Sequence, residues 1–273
     1  MEKFSESSLV KEMNEVTYQA YLRYWDERNG GNVSLKVDEE YLEAFDDIDY
    51  GSEIKYDLGF DARELSGNYF LVTGTGRYFR NITNRSDIDL GLVKISEDGK
   101  YYSVVWGFRD GGRPTSEFPS HLLSHIERIK VDPNHRVIFH CHPTNLMSLS
   151  FTQDLDEKKL SRLLWQMQAE SIVVFPEGIG ILPFMVPGTK DIGKLTSGKM
   201  SEFKAVLWAN HGLFASGSSL DDAYGLIEVI EKSAMIYTTI MSQGGAIKQK
   251  ISDEGLKEIA KFFKVKPHEG FLD

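Results

Sequence analysis

A short turn between two apolar runs is the sequence feature that most constrains the fold of this chain. The runs at 90–95 and 101–106 flank Glu97-Asp98-Gly99-Lys100, and an Asp-Gly step between apolar segments indicates a β-hairpin. A hairpin joins neighbouring strands that run in opposite directions, whereas parallel strands need long crossover connections. The sheet is therefore predicted to be largely antiparallel or mixed rather than purely parallel.

Helix and strand patterns alternate along the rest of the chain. Apolar residues recur every three or four positions over 8–25, which predicts an amphipathic helix, and they alternate with polar residues over 33–37, which predicts a strand. Residues 38–67 are acidic and aperiodic and are expected to form a surface excursion. Further strands are predicted at 69–72, 136–139, 171–175 and 205–208. Further helices are predicted at 117–130, with Ser116 as N-cap, at 160–168, after Ser219 and after Ser252. This interleaving predicts one α/β domain over residues 1–273, with an α/β/α layered fold.

Composition excludes several classes of protein. The net charge of −10 argues against a nucleic-acid-binding protein, because phosphate contacts need a basic surface. The single cysteine, Cys141, excludes an intramolecular disulfide and fits a reducing compartment. The N-terminus lacks a signal-peptide pattern, and no apolar run approaches the roughly 20 residues that span a bilayer. We expect a cytoplasmic protein that contacts neither nucleic acid nor membrane.

Three histidines at predicted strand ends form a candidate metal site. His140 and His142 lie two positions apart, so on a strand their side chains leave the same face while Cys141 points to the other. His211 follows the strand at 205–208 and precedes a glycine. Three neutral imidazoles leave a coordination position open, which is typical of catalytic zinc. Each histidine alone is equally compatible with a hydrogen-bonded or turn residue. His121, His125, His135 and His268 are left outside the predicted site.

Small polar segments at element ends are candidate anion sites. They are Asn29-Gly30-Gly31-Asn32, Thr73-Gly74-Thr75-Gly76 and Pro114-Thr115-Ser116. Backbone N–H groups of glycine turns and helix N-termini bind phosphate groups. Each segment is also compatible with an ordinary turn or helix cap. None matches a nucleotide-binding fingerprint.

Two glutamates are candidate acid/base residues. Glu117 lies in the first turn of a predicted helix, where it either complements the helix dipole or transfers protons beside a metal. Glu170 is the second candidate, and a surface carboxylate at a helix end is its alternative interpretation.

Together these motifs resemble those of the class II aldolases of the fuculose-phosphate aldolase and adducin-head family. The three polar segments, Glu117, His140-Cys141-His142 and Asn210-His211-Gly212 occur in that family's order. Trp25-Asp26-Glu27-Arg28, Phe118-Pro119-Ser120-His121, Phe175-Pro176-Glu177-Gly178 and Met185-Val186-Pro187-Gly188 extend the resemblance over nearly the whole chain.

The resemblance implies a role for each site residue. His140, His142 and His211 would bind one Zn²⁺ per subunit, and Glu117 would be the acid/base residue. The substrate phosphate would contact Asn29, Gly31, Asn32, Thr75, Gly76, Thr115 and Ser116. The family forms homotetramers with sites near subunit interfaces, so Glu170 would act in a neighbouring subunit's site.

The implied activity is cleavage of L-rhamnulose 1-phosphate to dihydroxyacetone phosphate and L-lactaldehyde, through an enediolate stabilised by the metal. Three alternatives remain open at this point. They are L-fuculose 1-phosphate cleavage, 4-epimerisation of a pentulose 5-phosphate, and a non-enzymatic scaffold like the adducin head.

Overall fold

Antiparallel pairing dominates the structure, a computed structural model that describes residues 2–272. Nine strands form one sheet in the order β2-β5-β4-β3-β1-β6-β9-β8-β7, and only β7 and β8 pair in parallel. The strands are β1 (Asn32–Val37), β2 (Tyr56–Asp57), β3 (Tyr69–Thr73), β4 (Leu90–Ile95), β5 (Tyr101–Gly107), β6 (Val137–Cys141), β7 (Gly180–Leu182), β8 (Ala205–Trp208) and β9 (Gly212–Gly217). The predicted hairpin is the β4–β5 pair, so the prediction of a largely antiparallel or mixed sheet is confirmed.

Eleven helices lie in the described part of the chain. Three of them are single turns, namely α2 (Glu39–Leu42), α3 (Phe79–Ile82) and α4 (Ser86–Asp89). The others are α1 (Ser8–Leu22), α5 (Phe118–Val131), α6 (Thr144–Thr152), α7 (Glu157–Met167), α8 (Ala169–Val174), α9 (Lys190–Met200), α10 (Leu220–Ser242) and α11 (Asp253–Phe263). The side chains of Ser219 and Ser252 accept backbone N–H bonds at the starts of α10 and α11, as the sequence predicts.

Side-chain alternation divides the core between the two faces of the sheet. Val33, Leu35 and Val37 of β1 pack in the larger core, which the apolar faces of α1, α7, α10 and α11 also line. Phe70 and Val72 of β3 point the other way and contact the apolar residues of α5. A third cluster joins β6, β8 and β9 to α9. Helices therefore cover both faces, and the predicted α/β/α layering is confirmed.

Several local predictions are wrong. Residues 171–175 were expected to be a strand but lie mostly in α8, because a short apolar run fits a buried strand and a buried helix equally well. Packing against α10 decides the outcome, where the Ser171 hydroxyl bonds that of Ser233 at 2.6 Å.

The predicted N-cap of α5 also needs correction. Helix α5 begins at Phe118, so Glu117 rather than Ser116 occupies the N-cap position, and it makes no side-chain cap bond. The hydroxyl of Thr115 accepts the backbone N–H of Glu117 at 3.3 Å. Residues 38–67 are only partly a surface excursion. Leu42 and Phe45 reach the larger core, Leu58 and Leu65 reach the core beneath α5, and β2 extends the sheet at its edge.

No helix within residues 2–272 is both long and apolar enough to cross a membrane.

Candidate active site

Strand β6 delivers two histidines to the same end of the sheet. Alternation along β6 places Cys141 in the larger core and His140 on the face that α5 covers. His142 follows immediately, where the strand ends, and its backbone N–H donates to the carbonyl of Trp25 at 2.9 Å. Cys141 packs in the larger core while the ring of His140 packs against Trp208 and Phe214 on the other face, as predicted. Burial raises the pKa of the Cys141 thiol.

The third histidine is brought in by the tight connection between β8 and β9. Asn210 has a φ of +62°, a left-handed conformation that asparagine tolerates better than most residues. Gly212 follows His211 and begins β9, which pairs with β6. A Cβ atom at position 212 would lie 2.6 Å from the Cys141 carbonyl oxygen and 2.7 Å from Cδ2 of His142. Only glycine lets the connection pass this close to the other two histidines.

The three imidazoles converge on one point. Their ring centroids are 5.0 to 5.1 Å apart in all three pairs, and one nitrogen from each ring lies within 4.8 Å of the others. Nε2 of His140, Nε2 of His142 and Nδ1 of His211 are buried and have no hydrogen-bond partner among the described residues. Buried polar atoms without partners call for an explanation, and a shared metal ion supplies one for all three.

Hydrogen bonds to neighbouring groups fix which ring nitrogen of His140 and of His142 carries its lone pair inward. His140 donates from Nδ1 to the Leu213 carbonyl at 3.0 Å, and His142 donates from Nδ1 to the Glu27 carboxylate at 2.6 Å. Both Nε2 atoms are then unprotonated, as metal ligation requires. Burial holds the pKa of His140 well below its usual range and lowers that of His211 to about 4. The donor set therefore fits a divalent metal such as zinc.

Glu117 lies beside this cluster. Its Oε2 is 3.7 Å from Nε2 of His140 and accepts a hydrogen bond from Nδ2 of Asn32 at 2.9 Å. Burial raises the pKa of Glu117 to about 7, and the hydrogen bond from Asn32 opposes that rise. A carboxyl group with a pKa near neutrality can both donate and accept a proton, which suits a general acid/base.

The three polar segments predicted as anion sites meet next to Glu117. The backbone N–H of Thr75 donates to the Arg113 carbonyl, and that of Thr115 donates to the Thr73 carbonyl, both at 2.9 Å. Thr73 in turn accepts the N–H of Val33 on its hydroxyl at 3.0 Å. These bonds join β1, β3 and the start of α5 at one end of the sheet. Asn29, Thr75, Gly76 and Ser116 are exposed there, whereas Gly31, Asn32 and Thr115 are buried.

Glu170 does not join this cluster in the described chain. It is exposed in the first turn of α8. Its predicted action in a neighbouring subunit stays a prediction.

Two acidic residues outside the predicted site support it. Glu27 orients His142, as described above. Asp26 is buried and accepts the backbone N–H of Gly31 at 2.8 Å and of Phe79 at 3.1 Å, which fixes the loop before β1. Burial raises the pKa of Asp26 to about 6 against these two bonds. Neither role is evident from the sequence. No spacing rule links Glu27 to a histidine 115 positions away.

Comparison with known proteins agrees with this geometry. The sequence profile of the class II aldolase and adducin N-terminal domain family matches residues 11–238. The structure superposes on a sugar-phosphate aldolase from Thermotoga maritima with a TM-score of 0.75 and 31% identity, covering 88% of this chain and 97% of the other. The chain belongs to the class II aldolase and adducin N-terminal domain family.

Within that family, two relatives with the same name match nearly the whole chain. The rhamnulose-1-phosphate aldolase of Listeria innocua is 48% identical over 98% of this chain and 97% of its own length. That of Mannheimia succiniciproducens is 43% identical over the full length of both chains.

The close approach of β9 to the histidines yields a first prediction. Gly212→Ala places a methyl group where backbone and imidazole atoms already lie, so His140 and His142 must move apart. We expect zinc affinity to fall about 10-fold or more, measured by chelator competition.

Gly198→Ala in α9 is the matched control, because an added Cβ there meets nothing within 4 Å. It should keep full affinity. Undiminished zinc binding in Gly212→Ala would contradict the packing described for this turn.

Proposed function

We propose that this chain is a zinc-dependent aldehyde-lyase that cleaves L-rhamnulose 1-phosphate to dihydroxyacetone phosphate and L-lactaldehyde in L-rhamnose catabolism. The observation that carries the proposal is the convergence of three unpaired histidine nitrogens beside a buried glutamate. The substrate is taken from relatives named rhamnulose-1-phosphate aldolase, which are 43% to 48% identical over nearly the whole chain.

His140, His142 and His211 would hold the zinc ion. When bound, the ion supplies Lewis-acid stabilisation of negative charge on neighbouring substrate oxygens. Glu27 and the Leu213 carbonyl keep two of these imidazoles in the ligating tautomer through their Nδ1–H groups. The rings of His140 and His142 are thereby set before substrate arrives, so less reorganisation is needed during the reaction.

Glu117 carries the proton that balances the reaction. In cleavage the C4 hydroxyl loses its proton to solvent water, which in turn supplies the proton that Glu117 carries. The C3–C4 bond breaks and C4 becomes the aldehyde carbon of lactaldehyde. The electron pair remains on C3 and is delocalised onto the C2 oxygen as an enediolate. Glu117 then donates a proton to C3, which gives dihydroxyacetone phosphate, and in condensation it removes that proton. A pKa of about 7 serves both directions.

The polar segments around β1, β3 and α5 would hold the substrate phosphate. The proposed contacts come from Asn29, Gly31, Asn32, Thr75, Gly76, Thr115 and Ser116. The start of α5 and the Thr73-Gly74-Thr75-Gly76 turn are joined by backbone hydrogen bonds, and helix N-termini and glycine turns favour anions. Binding of the remote phosphate would place C3 within reach of Glu117.

A homotetramer with sites near its subunit interfaces and a cytoplasmic location also belong to the proposal. Both rest on the family resemblance. In such an assembly, Glu170 is exposed and therefore available to a neighbouring subunit.

A substrate panel tests the proposed activity. Zinc-loaded protein should release lactaldehyde from L-rhamnulose 1-phosphate faster than from L-fuculose 1-phosphate, as measured by a coupled alcohol dehydrogenase assay. Faster cleavage of the fucose-derived sugar would transfer the assignment to that substrate. Isomerisation of a pentulose 5-phosphate without free aldehyde would indicate an epimerase instead.

Removal of a ligand and removal of the proton carrier should have different consequences. We expect His142→Ala to lose zinc and activity together, because it deletes one of the three converging nitrogens. Glu117→Gln should keep the zinc and lose at least about 100-fold in kcat, because an amide cannot exchange the C3 proton. Metal analysis with steady-state kinetics decides; a full complement of zinc in His142→Ala would refute the ligand assignment.

The phosphate site makes a separate prediction. Ser116→Ala should raise KM about 10-fold and change kcat less, since a hydrogen bond to a charged group contributes about 1.5–3 kcal/mol. Ser242→Ala removes an equally exposed hydroxyl that bonds only the Thr239 carbonyl, and it should leave both constants unchanged. An unaltered KM in Ser116→Ala would count against this phosphate contact.

A further inference from the structure

Buried polar side chains form a continuous row between β1 and α5, beneath the proposed active site. Starting at Glu117, the hydrogen bonds run through Asn32 (2.9 Å), His121 (2.5 Å), Ser34 (2.8 Å), His125 (2.8 Å) and His135 (2.8 Å). Asn32 is 5% exposed, His135 is 2% exposed, and the three residues between them are fully buried. Of this row only Glu117 and Asn32 belong to the predicted site.

Matching repeats of strand and helix allow the row to form. Side chains on one face of a strand repeat every two residues, or about 6.6–6.8 Å, and those on one helix face repeat every four residues, or about 6 Å. Asn32 and Ser34 share a face of β1, while Glu117, His121 and His125 share a face of α5. The strand residues therefore fit between successive helix residues, and each reaches two of them.

The hydrogen bonds of this row all have one direction. Nδ2 of Asn32 donates to Oε2 of Glu117, so its Oδ1 is the atom that faces Nε2 of His121. His121 must then donate from Nε2, which leaves its Nδ1 to accept the Ser34 hydroxyl proton. By the same reasoning His125 donates from Nε2 to Ser34, and His135 donates from Nε2 to Nδ1 of His125.

This direction requires His121 and His125 to be neutral, because each accepts a hydrogen bond at Nδ1, and burial keeps both of them and His135 neutral. Burial lowers the pKa of His121 and of His135 to about 3, and it lowers that of His125 well below its usual range. Phe214 packs against His121, and Phe70 packs against His125, with ring centroids 5.0 and 4.9 Å apart. A fully paired polar row in such surroundings is rigid, because each broken bond would leave a buried group unsatisfied.

We propose that His121, Ser34, His125 and His135 are positioning residues for the proton-transfer step, which they serve by fixing the amide of Asn32. The row holds Nδ2–H of Asn32 towards Glu117 and so keeps Oε2 of that residue beside His140. A rotated amide would put its carbonyl oxygen against the carboxylate oxygen and displace Glu117. The kinetic part of this inference rests on the proposed function of Glu117, whereas the direction of the row does not.

The direction of the row is tested in the wild-type protein without substrate. Zinc-loaded protein labelled with ¹⁵N-histidine should show His121, His125 and His135 all neutral and protonated on Nε2. His140 and His142 should instead carry their proton on Nδ1. Two-bond ¹H–¹⁵N correlation spectra distinguish these tautomers. A proton on Nδ1 of His121 or His125, or the absence of a proton from Nε2 at any of the three positions of the row, would overturn the proposal.

Two amide substitutions at position 121 test the kinetic role. In His121→Gln the side-chain amide reaches the place of the imidazole Nε2 and can still donate to Asn32. In His121→Asn the shorter amide reaches only the place of Nδ1, so Oδ1 of Asn32 loses its donor. We expect His121→Asn to lower kcat about 10-fold or more, with zinc content unchanged. The glutamine variant should keep kcat within about threefold of wild type.

Ser34→Ala interrupts the row one bond further away and removes only one oxygen atom. It should also lower kcat, and His121 should lose its single tautomer in the same spectra. Equal losses of kcat in His121→Gln and His121→Asn would indicate a packing role and overturn the proposal. So would an unchanged kcat in His121→Asn.

Failure of the proposed function gives a different pattern. If wild-type protein does not cleave L-rhamnulose 1-phosphate, the same variants are compared in a second assay. This assay measures how fast the C3 proton of dihydroxyacetone phosphate exchanges with deuterated water. If wild-type protein also lacks this exchange, the proposed function of Glu117 is wrong. The tautomers of His121 and His125 then still show whether the hydrogen bonds of the row have the inferred direction.

Discussion

The antiparallel pairing of β1 with β6 is the contact on which the rest of the site depends. Its register places Asn32 opposite His140 and Ser34 opposite Ile138. A shift of β1 by one residue would turn Asn32 and Ser34 into the larger apolar core and expose Val33 and Leu35 to α5. The apolar side of this pair is filled by Val33, Leu35, Val137 and Phe139, so hydrophobic burial fixes the register. The polar geometry on the other side follows from it.

Burial then sets the chemistry of the groups so positioned. Desolvation disfavours charge, so His140 and His211 stay neutral and are ready to bind a metal. The same effect raises the pKa of Glu117 to about 7. The same effect keeps His121, His125 and His135 neutral, which permits a hydrogen-bonded row of one direction. Desolvation therefore acts on metal ligands, acid/base residue and supporting row together, although the three sets make different contacts.

Local sequence patterns predicted some parts of this arrangement better than others. The Asp98-Gly99 turn correctly predicted the β4–β5 hairpin. Alternation around Cys141 predicted that His140 and His142 converge, and in the structure their ring nitrogens do. The run 171–175 was assigned to a strand because periodicity does not separate short buried strands from short buried helices. Strand β9 was missed because all six of its residues are buried, so its sequence shows no alternation of apolar and polar residues. His121 and His125 were left out because a four-residue spacing on a helix shows a common face but not what that face meets.

The sequence by itself determined the layered fold class, the two-residue spacing of His140 and His142, and the ordered motifs of the family. Each of these depends on neighbours in the chain or on residue type, and both can be read from a single sequence. The tertiary structure decided which distant groups meet: Glu27 with His142, Asn32 with Glu117, and Ser34 with two histidines of α5. These contacts join residues 85 to 115 positions apart. They exist only because sheet register and helix packing bring the residues together, and no local spacing rule encodes either one.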